Sequence, residues 1–69
     1  MRRRYEVSRG GNGWSLGTGG SHVTGFRSVG EALGAAMASA HEAEESGEHI
    51  SIYLLQHGQE TQVYQSRER

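Results

Sequence analysis

Cysteine, proline, lysine and aspartate are all missing from the 69 residues. Without cysteine there is no disulfide framework of the kind that supports small secreted domains. Without lysine the glycine-rich stretches around 10–13 and 17–20 fail as phosphate cradles, which need that side chain and a helix directly after the loop. Neither stretch completes the G-x-G-x-x-G dinucleotide fingerprint, and both read as turns. No run approaches the roughly 20 apolar residues that cross a bilayer. Met1-Arg2-Arg3-Arg4 leads into Tyr5-Glu6-Val7 and not into an apolar leader core, so a cytoplasmic address is expected and no membrane partner.

The chain also lacks a strong charge of either sign, with a formal net charge of -1 and a pI near 6.4. A general nucleic-acid binder carries a clear positive excess. The distribution is uneven all the same. All seven basic residues are arginine, five of them at the chain ends, while Glu42, Glu44, Glu45 and Glu48 cluster. The length admits one domain, 1–69, with ends 1–3 and 66–69 expected to fray. So short a chain buries a small share of its surface and commonly draws support from a metal or a partner chain.

Tyr5 and Val7 alternate with polar neighbours, as do Trp14 and Leu16 beyond Arg9-Gly10-Gly11-Asn12-Gly13, which predicts a β-hairpin. Asparagine and glycine suit its loop because they tolerate positive φ. A short third strand over 21–26 is optional. Ser28-Val29-Gly30-Glu31 is a capping box, with the Ser28 hydroxyl accepting from the amide of residue 31 and Glu31 reaching back. Val29, Ala32, Leu33, Ala36, Met37 and Ala40 then line one helical face, and Gly47 supplies the stop. Gly30 and Gly34 weaken this helix, either through a composition rich in small residues or because the helix approaches the sheet closely.

His49 to Gln56, rich in β-branched and large apolar residues, is expected as the central strand. His57-Gly58 turns the chain into a last strand through Val63 and Tyr64. The predicted fold is α+β: an antiparallel four- or five-stranded sheet with one helix packed on one face, in the order β-β-(β)-α-β-β.

Tyr5-x-Val7, Gly13-Trp14-x-Leu16, the helix opening at Ser28 to Ala32, and the apolar strand ending in His57-Gly58 together resemble the domain of unknown function 2188 family of short bacterial domains. The resemblance implies a compact sheet-plus-helix fold and brings no established activity with it.

No catalytic residue is predicted. Gly13-Trp14-Ser15-Leu16-Gly17 matches the nucleophile elbow in letters only, since that motif needs a strand-to-helix turn. His22, His41, His49 and His57 show no i, i+4 pairing for a metal, so neither metal nor other cofactor is expected. The acidic helix end reads as a solvated face or a partner surface. Trp14 is expected to cap the core. If Ile50, Ile52, Leu54 and Val63 cover the helix, then Tyr53, Leu55 and Tyr64 face the other side of the sheet and form an exposed, partly apolar patch. That patch points to a noncatalytic binding or oligomerisation module, with a homodimer, sheet to sheet or edge to edge, as the expected assembly, or to a protein partner. The alternative is a small nucleic-acid-binding protein using Arg2, Arg3, Arg4, Arg9, Arg67 and Arg69 on phosphates, with Tyr53 and Tyr64 stacking on bases.

Overall fold

The computed structural model describes residues 2–11, 13–18 and 21–66. Its elements run β1 (Arg2–Gly10), β2 (Gly13–Thr18), β3 (Ser21–Phe26), α1 (Val29–Glu45), β4 (His49–Gln56) and β5 (Gln59–Gln65). They form one five-stranded sheet in the order β3-β2-β1-β4-β5. The α+β class with one helix therefore stands, and the optional third strand is a full member of the sheet.

The sheet is mixed, not antiparallel throughout. β1 pairs with β2, β2 with β3 and β4 with β5 in antiparallel fashion, but β1 and β4 run parallel, with Tyr5 beside Ile52 and Val7 beside Leu54. The third strand is the cause. Three antiparallel strands leave β3 pointing the same way as β1, and the helix carries the chain back to the starting end. β4 must then rise alongside β1, a connection long enough only because the 17-residue helix lies within it. With two strands before the helix the pairing would have been antiparallel. The same route makes β1 the central strand, a place expected for β4.

Local chemistry sets the element ends. The Ser28 half of the capping box is formed, its Oγ accepting from the Glu31 amide at 3.2 Å. At the other end Gly47, at φ 85°, completes a Schellman closure: its amide donates to the Glu44 carbonyl and that of Glu48 to the Ala43 carbonyl. His57 and Gly58 both take positive φ, 53° and 72°, the pairing a two-residue hairpin turn requires.

The core lies between the helix and one sheet face. Tyr5, Val7, Leu16, Ile50 and Ile52 supply its bulk, and Ala32, Ala36, Ala40 and Ala43 are the buried helix residues. Alanine at these positions lets the helix lie close to the sheet, at the cost of a thin apolar layer. Trp14 and Phe26, opposite each other on β2 and β3, close one end of the core as partly buried neighbours. Gly34 has no heavy atom near the place of a Cβ, and Gly30 only the Ser28 hydroxyl at 3.8 Å. Close approach to the sheet does not account for either glycine.

Of the ends expected to fray, residues 2, 3 and 66 are held in or against the sheet, and residues 1 and 67–69 lie outside the described residues. Arg2 and Arg3 are held in β1 beside His49 and Ile50. Ser66 is buried: its Oγ accepts from the Ile50 amide at 2.8 Å while its own amide donates to the Ile50 carbonyl at 2.9 Å.

Candidate binding surface

A pleated strand sends alternate side chains to opposite faces. Since Tyr5 and Val7 face the helix, Arg4, Glu6 and Ser8 face away from it, and strand register carries the same alternation across the sheet. One row of the open face reads His22, Gly17, Glu6, Tyr53, Gln62, and the next runs through Ser15, Ser8, Leu55 and Glu60. Tyr53 and Leu55 therefore stand where alternation put them, side by side and half-buried.

Tyr64 does not join them. Its hydroxyl donates to both carboxylate oxygens of Glu44, each at 2.8 Å, and the His41 ring meets its ring edge-on at 6.3 Å between centroids. The cause is a bulge: Ile52 is opposite Tyr64 but Tyr53 is opposite Gln62, so β5 spends one extra residue, Val63, on that step. The extra residue reverses the alternation and turns Tyr64 toward the helix. Val63, expected to cover the helix, is 42% exposed. The Glu44 bond, then partial burial and the carboxylate charge, hold the Tyr64 phenol above its ordinary pKa of 10.0.

The middle of the open face is occupied by an ionic cluster that no single strand reveals. The Arg4 guanidinium lies 3.9 Å over the Tyr53 ring, a cation–π arrangement. Its Nε donates to Glu6 at 2.8 Å and its Nη2 reaches Glu60 at 2.6 Å. Those bonds, Glu60 first and Glu6 second, raise the Arg4 pKa further above its ordinary value, so the guanidinium keeps its charge. β1 and β2 offer only Ser8, Ser15 and Gly17 beside this cluster. The His22 imidazole lies against Gly17, where a Cβ would stand 3.1 Å from its Cε1. The surface thus steps down between His22 on one side and Tyr53 and Leu55 on the other.

The arginines do not gather into one patch. Arg2 and Arg4 share the open side, whereas the alternation of β1 places Arg3 and Arg9 on the other, and Arg3 donates to Glu48 at 2.7 Å. Arg67 and Arg69 lie outside the described residues. Ser15 sits within β2 opposite Ser8, with no helix following it. The acidic cluster borders a cleft of about 720 Å³ between the helix end and β5, lined by Glu44, Glu45, Glu48, His49, Tyr64 and Ser66 among others. Two of its carboxylates are already engaged, by Tyr64 and Arg3. Among the described residues no group of three or more histidine, aspartate or glutamate side chains is placed to hold a metal ion, and no helix is long and apolar enough to cross a membrane.

Compared with known proteins, the chain matches no family model, no curated protein and no solved structure.

Proposed function

We propose that this protein is a noncatalytic binding module whose recognition surface is the open sheet face centred on Tyr53 and Leu55. One observation carries the reading. The single helix covers one side of the sheet only, leaving two adjacent large side chains, an arginine-capped tyrosine and a leucine, beside a low serine and glycine floor. Tyrosine suits such a surface because its ring supplies apolar area while its hydroxyl stays compatible with water. A protein partner is favoured over nucleic acid: the Arg4 charge is balanced by two carboxylates, Arg3 and Arg9 lie on the opposite side, and Tyr64 is turned away. Kinship with the domain of unknown function 2188 family is part of the same proposal and rests on the short motifs alone.

The test is differential capture. The native chain and a Tyr53→Ser, Leu55→Ser variant are immobilised and exposed to the same extract of producing cells, with circular dichroism confirming that both are folded. Proteins retained by the native chain and lost by the variant support the reading. Identical retention by the two overturns it.

A further inference from the structure

We propose that the last part of β5 has two registers against β4, and that the Tyr64–Glu44 bond selects the one with the bulge. In the second register Val63 takes the place opposite Ile52, and Tyr64 moves to the open face opposite Ser51. The inference concerns strand pairing, so it goes beyond the binding reading and fails separately from it.

The pairing fixes where the choice lies. From the turn at His57-Gly58 as far as Tyr53 and Gln62 the hairpin keeps one register. Beyond Val63 it keeps another, with Ile52 opposite Tyr64 and Ser51 opposite Gln65. Absorbing Val63 into the ladder carries the first register on, which sets Val63 opposite Ile52, Tyr64 opposite Ser51 and Gln65 opposite Ile50. Only residues 63–66 have to shift, and β5 is an edge strand, paired on one side by β4. Backbone bonding does not decide between the two. The Ile50 amide donates to the Ser66 Oγ and its carbonyl accepts from the Ser66 amide. Gln65 offers a backbone carbonyl and amide for the same two bonds.

The side chains pull in opposite directions. Val63 is apolar yet exposed, and the second register brings it against the fully buried Ile52, a gain in apolar burial. Against this stand the Tyr64 hydroxyl on both Glu44 oxygens, the edge-on His41 ring and the burial of Ser66. A hydrogen bond to a carboxylate and the burial of one valine are of similar size. The registers therefore lie close in free energy, and the carboxylate bond tips the balance toward the bulge. In the second register Tyr64 would stand in the row of Arg4 and Ser51, diagonal to Tyr53, and add a second ring to the open face. Only that consequence touches on binding.

NMR of the full chain tests this. The backbone groups of Ser51 point toward β1, so its Hα meets that of the β5 residue opposite: Gln65 in the first register, residue 64 in the second. In the native chain, saturation-transfer exchange should reveal a minor state of about 1–5%, with the exchange confined to residues 50–52 and 62–66. Tyr64→Phe and, independently, Glu44→Ala should each raise its ratio to the main state at least about tenfold, the effect of losing one charge-assisted bond. The contact between Ser51 and residue 64 should then be seen directly. Val63→Asp, which in the second register would set a charge beside Ile52, should abolish the exchange with the fold intact. A native chain without exchange in these segments overturns the proposal. So do Tyr64 and Glu44 variants that keep the Ser51–Gln65 contact alone, or exchange undiminished by Val63→Asp. Each of these results leaves the open-face reading to its own test.

Discussion

Tyr64 and Glu44 join the edge strand β5 to the penultimate residue of the helix through one hydroxyl and both carboxylate oxygens. The bond makes the phenol harder to ionise in the folded chain than in the unfolded one. Above pH 10 the unfolded state therefore binds fewer protons than the folded state, and stability falls as pH rises. The contribution is complete below the ordinary value of 10.0 and is lost as pH climbs through the higher folded value. Tyr64→Phe is expected to melt below the native chain near pH 8, with the gap narrowing by about pH 11. Thermal melts at the two pH values check this, and an unchanged gap at alkaline pH counts against it.

Deletion of Val63 should be tolerated. The deletion removes the extra residue of β5, so that Ile52 still faces Tyr64 and Tyr53 still faces Gln62 across a regular ladder. Deletion of Tyr53 shifts β4 against neighbours on both sides and should abolish folding, since a slip of one residue sends every following side chain to the wrong face. Far-UV circular dichroism and NMR dispersion distinguish the two outcomes.

Ile52→Ala should remove a large part of the stability of the fold. Ile52 is fully buried, and such truncations cost about 2–5 kcal/mol. A domain of this size holds only roughly 3–10 kcal/mol in all. Val23→Ala, at an exposed edge, should fall within about 0.5 kcal/mol of native. Urea unfolding midpoints give the comparison.

Two glycines should respond with opposite sign. Gly34→Ala is expected to stabilise by about 0.5–1 kcal/mol, because the helical site has open space and alanine has the higher helix propensity. Gly13→Ala should destabilise by more than about 1 kcal/mol. Gly13 has φ 118°, and its Cβ would fall 2.5 Å from the Phe26 carbonyl oxygen. Melting temperatures of the two variants, measured in the same buffer, decide the matter.

The residues by themselves determined what depends on near neighbours: a helix opened by Ser28 and closed by Gly47, turns at Gly10 to Gly13 and at His57-Gly58, an alanine-lined inner helix face, and the alternation that sets Tyr53 and Leu55 on one side. Each follows from backbone preference or periodicity within a few positions. Only the tertiary structure decided that β1 is central and parallel to β4, that Ser66 is fastened to Ile50, that Val63 bulges and turns Tyr64 to the helix, and that Arg4 caps Tyr53 between Glu6 and Glu60. The first and last of these depend on strands brought together from opposite ends of the chain, and the other two on how β5 seats against β4 and the helix. Val63 carries no local mark of a bulge, because a β-branched residue fits a regular strand equally well. The choice was made by how β5 fits beside β4 under the helix.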